Sequence, residues 1–272
     1  MKKNSILLTS LVGLFLSLTI TAHSAIIAYE GFDFTDTDGG ITGSGSGFGW
    51  SGGWVDSNNL FKTISPSLSI GQTTYDNQST GVRVIADLLG AGVNLSRSLA
   101  NAIPSTSTTF VSFMFDYNRT QVTENVILNF NGGDSGQSRF MFSRNDADGA
   151  KTDVSVRNGS TWISVATALS FNIGNSNLYI IGLDEAANDI KIWINPTVGG
   201  SDPATITTSA IAWSGASSIQ FTSDWNNLEL DEFRIGTTFA DVTPVPEPAT
   251  FALFGGFATL GLVLARRRRL AA

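Results

Sequence analysis

Cysteine is absent from the 272-residue chain, and histidine occurs once, as His23. Without a thiol the chain can form no disulfide, no sulfur-ligated zinc site and no Cys-His nucleophile. His23 lies in an N-terminal targeting segment, so processing would leave no imidazole for a Ser-His-Asp triad or a nitrogen-ligated metal. Basic residues are also scarce where they would matter. Six of the 16 Lys and Arg stand at the extremes, as Lys2, Lys3 and Arg266 to Arg269, so residues 26–241 keep 10 basic against 22 acidic residues, a net charge of −12. So acidic a domain lacks the positive footprint of phosphate contacts, which argues against nucleic acid or an anionic lipid surface as partner. A cation and a neutral glycan both remain compatible. Nor does any long helical period run through residues 26–241. Stability must come from burial, and about 216 residues are enough for one core.

What recurs instead is apolar/polar alternation, the pattern of half-buried strands. Phe110 to Tyr117 reads as a central strand with aromatic residues on both faces. Strands are also expected over 26–32, 81–86, 93–99, 125–130, 139–143, 153–157, 161–166, 177–183, 190–195, 218–222 and 228–235. Asn158-Gly159 has the composition of a two-residue type I′ hairpin loop, and residues 184–189 form the loop of a second hairpin. About a dozen short antiparallel strands require two packed sheets. The expected fold is therefore all-β, a two-sheet antiparallel jelly-roll sandwich, with an N-terminal signal helix and a C-terminal transmembrane helix outside it.

Both ends carry addresses. Lys2 and Lys3, an apolar run from Ile6 to Ile20, and small residues at Ala22, Ser24 and Ala25 make residues 1–25 a secretory signal peptide cut between Ala22 and Ala25. The alternative is an uncleaved anchor. At the other end a linker (242–248) contains Pro246, Glu247 and Pro248, followed by 17 uncharged residues (249–265) and a basic tail (266–272) opening with Arg266, Arg267, Arg268 and Arg269. Seventeen residues is the lower limit for a bilayer-spanning helix. The arginines would stop transfer on the cytoplasmic side, and the prolines keep the helix from extending backward. The tail could also be an ordinary membrane anchor. It resembles the PEP-CTERM sorting signal of Gram-negative bacteria, over Val245 to about Leu270. That resemblance implies recognition of Pro246-Glu247-Pro248 by exosortase, a membrane-embedded cysteine transpeptidase that removes the tail. The partners it implies are exosortase, signal peptidase and the secretion machinery. The inner membrane is then an intermediate on the way to the cell surface or the extracellular space.

One segment departs from the strand pattern. Between Gly39 and Gly53, eight of fifteen residues are glycine, with Phe48 and Trp50 among them and Trp54 just after. This density favours backbone turning tightly around aromatic side chains. No Gly-Lys-Ser/Thr follows, which excludes a phosphate loop. This run, Ile190-Lys191-Ile192-Trp193-Ile194-Asn195-Pro196 and Leu230-Asp231-Glu232-Phe233-Arg234-Ile235-Gly236 are similar to motifs of LamG-like, concanavalin A-like jelly rolls. The resemblance implies the fold for 26–241 and leaves the ligand open.

Three sets of residues are candidate sites. Glycanases of that fold carry Glu-x-Asp-x-x-Glu, whose two Glu side chains act as nucleophile and acid/base. Here Glu229 and Asp231 match, but Arg234 stands in the second Glu position and can perform neither role. The bland reading is a closing strand, with Asp231 orienting a turn or pairing with Arg234. Asp33, Asp36 and Asp38 ahead of Gly39 form an oxygen-rich loop of the kind that binds calcium, as do Asn145, Asp146 and Asp148 ahead of Gly149, although neither matches an EF-hand. Acidic residues beside glycine are equally ordinary turn formers. Trp162 and Trp193 alternate against aliphatic neighbours and are candidates for stacking on a glycan, though buried tryptophan is the commoner outcome. Three functions follow: an exported non-enzymatic structural or adhesive protein, a carbohydrate-binding module, or a polysaccharide hydrolase or lyase.

Overall fold

The computed structural model describes residues 26–243 except 33–40, 57–60, 65–68, 71–72, 75–82, 87–92, 118–124, 132–138, 145–150, 159, 171–175, 185–186, 188, 198–202, 210–214 and 224–227. In chain order the strands are β1 (Ile26–Glu30), β2 (Val55–Asp56), β3 (Phe61–Ile64), β4 (Ser69–Ile70), β5 (Thr73–Thr74), β6 (Arg83–Ala86), β7 (Val93–Ile103), β8 (Thr109–Tyr117) and β9 (Asn125–Phe130). They continue as β10 (Arg139–Arg144), β11 (Lys151–Asn158), β12 (Thr161–Ser170), β13 (Asn177–Asp184), β14 (Asp189–Ile194), β15 (Ile206–Ser209), β16 (Ala216–Ser223) and β17 (Leu228–Gly236), followed by a short helix, α1 (Phe239–Val242).

Two antiparallel sheets face one another. The first has eight strands, ordered β15-β14-β13-β8-β17-β6-β3 with β1 also on β17; the second has seven, ordered β12-β11-β10-β9-β16-β7-β2. This is the expected two-sheet jelly-roll sandwich. Each of the twelve expected strands is present within a few residues of its expected ends, and β8 lies centrally between β13 and β17. The further strands β2 to β5 and β15 have two to four residues each, too few for alternation to show.

The facing rows build the core. Phe113 and Phe115 on β8, Tyr179 on β13, Phe142 on β10 and Phe221 on β16 are all buried. Their rings interlock, with Phe115 stacked on Tyr179 at 4.4 Å and Phe142 meeting Tyr179 edge-on at 4.8 Å. Such pairs add to the area they bury, and together they fix the spacing of the sheets.

One hairpin differs in register from its expected form. Asn158 pairs with Thr161, so Asn158 is the last strand residue and the connection is 159–160. Glycine then stands first in the loop instead of second, as a type II′ turn prefers.

The two outer faces are unlike. On the eight-stranded sheet Met114, Leu178, Ile180, Trp193 and Val242 form a second apolar cluster against Phe110 and Phe239. Helix α1 supplies its cover. Thr238 caps the helix and Asp241 completes a capping box, with Asp241 Oδ2 accepting from the backbone N–H of Thr237 and Thr238. Val242 and Thr243 are buried, so the packed chain runs two residues beyond the expected boundary at 241.

Candidate functional site

The glycine-rich segment closes the sandwich along one edge. Phe48 bridges to Tyr29 on β1, and Trp50 bridges to Leu99 on β7. Residues 48–50 therefore stitch one sheet to the other. At Gly47 the backbone has φ +73°, and an added Cβ would lie 1.9 Å from the Tyr29 carbonyl oxygen. Only glycine permits that approach. Gly45 serves differently: its missing side chain leaves room for the Arg97 guanidinium.

Behind this segment lies a charged group that composition and spacing did not reveal. Glu30 of β1 is fully buried and forms an ion pair with Arg97 of β7, itself 6% exposed. The Glu30 carboxylate also accepts from the backbone N–H of Phe32 at 2.8 Å, from Trp54 Nε1 at 3.1 Å and from the Ser46 hydroxyl. Arg97 Nε donates to the Gly52 carbonyl at 2.7 Å, and its guanidinium lies 4.9 Å from the Trp50 ring and 5.6 Å from Trp54. Burial pushes the Glu30 carboxyl up from its ordinary range, opposed by Ser46, Arg97, Phe32 and Trp54. Burial likewise lowers Arg97, opposed by Glu30. With every strong group turned on another, the cluster is a clasp between sheets and not a reactive centre.

Glu229 is 4% exposed and Asp231 fully buried. Asp231 Oδ1 accepts from the Glu232 backbone N–H at 2.9 Å. Arg234 does not pair with Asp231: its Nη2 and Nε donate to Glu232 Oε2 at 2.7 and 3.1 Å. A register shift between Asp231 and Arg234 places the neighbouring Glu232 at φ +51°, which turns its carboxylate toward Arg234 and the Tyr29 hydroxyl, 3.2 Å away.

Trp193 faces away from Ile190 and Ile192, which point into the main core, but it is covered by Phe239 at 4.9 Å and Phe110 at 6.1 Å. At 8% exposure it offers no stacking surface. Trp162 sits opposite Arg157 on the edge strand β12, half-buried, on the outer face of the seven-stranded sheet. Asp33, Asp36, Asp38, Asn145, Asp146, Asp148, Pro246, Glu247, Pro248 and Arg266 to Arg269 lie outside the described residues. So do the signal segment and the expected transmembrane helix. Among the described residues no group of three or more His, Cys, Asp or Glu could hold a metal, and no helix is long and apolar enough to cross a membrane.

That leaves the outer face of the seven-stranded sheet, over which no described element packs. Core residues of β7 and β16 alternate with an outward polar row: Ser96 pairs with Gln220, Ser98 with Ser218 and Asn94 with Thr222. Asn129 of β9 joins the row beside Gln220 and is 3% exposed. Its Oδ1 and that of Asn94 are buried without a hydrogen-bond partner among the described residues. At the β2 side, where the glycine-rich segment crosses, a pocket of about 480 Å³ is lined by Ser51, Gly52, Gly53, Val55, Ser96, Arg97, Ser98, Ser218 and Gln220.

The fold and its sites define a two-sheet jelly-roll domain of LamG-like, concanavalin A-like character. At the chain's end, residues 244–269 match the PEP-CTERM protein-sorting motif. The motif marks an exported protein processed by exosortase at the membrane. No curated protein matches the chain. Among solved structures, a β-1,3-1,4-glucanase (lichenase) derived from a mouse hindgut metagenome is similar over 77% of this chain and 98% of its own, at 10% identity and TM-score 0.45. The carbohydrate-binding module CBM66 from Bacillus subtilis is similar over 65% of this chain and 95% of its own, at 9% identity and TM-score 0.38. Against the botulinum neurotoxin serotype D binding domain the similarity covers 58% of this chain but only 39% of that one, at 14% identity and TM-score 0.41.

Proposed function

We propose that the exported domain is a non-catalytic structural or adhesive protein of the cell surface or extracellular polymer, and that it makes contact through the outer face of its seven-stranded sheet. The observation that carries this reading is the difference between the two outer faces. One is sealed by α1 and an apolar cluster, whereas the other presents rows of uncharged polar side chains. The buried state of Glu229 and Asp231, and the Arg234 and Tyr29 contacts of Glu232, also favour a non-catalytic role, since a glycosidase needs two carboxyls free to meet one bond.

Retention of the exported protein on extracellular polysaccharide from the producing cells tests the reading. Saturable retention without release of reducing ends or unsaturated sugars is the expected result. Catalytic release would replace it with a hydrolase or lyase, and absence of any retention would overturn it.

A further inference from the structure

We infer that the pocket between β2, β7, β16 and the glycine-rich segment binds a neutral oligosaccharide, and that Gln220, Ser96, Ser98 and Asn129 select it. The inference rests on the adhesive reading above and gives it a specific ligand. Its volume of about 480 Å³ falls in the roughly 300–1,000 Å³ range of small-ligand sites.

The chemistry of the lining decides what fits. Four serines and one glutamine supply groups that both donate and accept, the counterpart of a sugar hydroxyl. Arg97 is the one charged lining residue, and its charge is already matched by Glu30. An anionic ligand would meet no uncompensated cation there, and a cation would meet no carboxylate. A peptide strand is disfavoured for another reason. The floor consists of paired strands, with Val55 against Ser96, Ser96 against Gln220 and Ser98 against Ser218, so it offers no strand edge to extend.

A second observation points the same way. Asn129 Nδ2 lies 3.5 Å from Gln220 Oε1 and 3.4 Å from Thr222 Oγ1, yet Asn129 Oδ1 is buried with no partner among the described residues. A buried acceptor left unmade costs about 1–3 kcal/mol. A donor arriving with the ligand would satisfy it, and a sugar hydroxyl beside Gln220 is such a donor.

Titration of the exported protein with neutral β-glucan and mannan hexasaccharides, and with a hexauronate as charged control, tests the inference. Binding of a neutral hexasaccharide is expected, with about tenfold loss in Gln220→Ala, the equivalent of one net hydrogen bond. Ser98→Trp should fill the pocket and abolish binding. Asn129→Leu provides the separating readout, because it removes an unsatisfied acceptor. Thermal stability should hold or rise while affinity falls about tenfold. If Trp162→Ala abolishes binding while Ser98→Trp and Gln220→Ala leave it intact, the ligand lies elsewhere on the face, and the pocket assignment fails while the adhesive reading stands. Preference for the hexauronate overturns the neutral ligand. Retention on whole polymer with no binding of any neutral hexasaccharide overturns the pocket alone, and loss of both overturns the two together.

Discussion

Glu30 and Arg97 show how much one buried pair can decide. Removing one partner of such a pair typically costs about 3–5 kcal/mol, because the other is left as an uncompensated buried charge. Arg97→Met is expected to lose about that much near pH 8, measured by chemical denaturation. The pH dependence has a definite sign. Burial already raises the Glu30 carboxyl in the fold, and deleting the arginine removes a group that opposes this rise. The folded state then holds the proton more tightly than the unfolded state. Stability from this group is present below the unfolded carboxylate value and falls as pH rises through the raised one, so the variant should be markedly less stable at pH 8 than at pH 5. Adding Glu30→Gln should flatten that slope while keeping an acceptor for Phe32 and Trp54; a slope that survives would show another group is responsible. The glycines offer a parallel test. Gly43 has φ +81° but open space around it, so Gly43→Ala should cost only the left-handed conformation, about 1–2 kcal/mol. Gly47→Ala should add about 1–3 kcal/mol of overpacking against Tyr29. Density of glycine and tryptophan made tight packing legible from sequence. Its object was not, because Arg97 enters from a strand more than forty residues later and looks like any charged residue in an alternating pattern.

At the scale of elements, alternation reveals strands and parity but not what covers them. The Ile190 to Ile194 pattern places Trp193 on the opposite face from Ile190 and Ile192, as found. The cover comes from Phe239, in a four-residue helix too short for any period, and from Phe110 at the far end of β8. Thr238-Phe239-Ala240-Asp241 is nevertheless readable afterwards as a capping box. Loss of an N-cap side chain costs about 0.5–2 kcal/mol, so Thr238→Ala should loosen α1 by that order and uncover Trp193. Quenching of tryptophan fluorescence by acrylamide should increase; unchanged quenching would mean that α1 is held by Phe239 and Val242 alone. Trp193→Ala, by the same reasoning, is expected to reduce stability by about 3–5 kcal/mol and not to act first on a surface contact. The polar row of the seven-stranded sheet was least legible of all. Serine, asparagine and glutamine at alternate positions mark a solvent face in any strand, and only the sheet order brings β7, β16 and β9 together.

For the whole molecule, the sequence is most specific where no chemistry is performed. The jelly roll and the sorting motif answer separate questions, one about contact and the other about destination, and they can be broken separately. The pocket and clasp lie between residues 30 and 220, whereas the motif occupies 244–269. Seventeen apolar residues between Pro248 and Arg266 are a marginal anchor, sufficient to hold the chain during export and short for permanent residence. Without cleavage, four arginines would keep the chain inserted, since each is costly to move across the bilayer. Pro246→Ala combined with Glu247→Ala should therefore leave a folded domain in the inner membrane with Arg266 to Arg269 still attached. Mass spectrometry of membrane and exported fractions reads this directly. Wild-type protein should be exported without the arginines, and its domain should melt at the same temperature as the retained variant. Exported wild-type chains that still end in the arginine run would show that the tail is a simple anchor, and a variant exported normally would remove Pro246 and Glu247 from recognition.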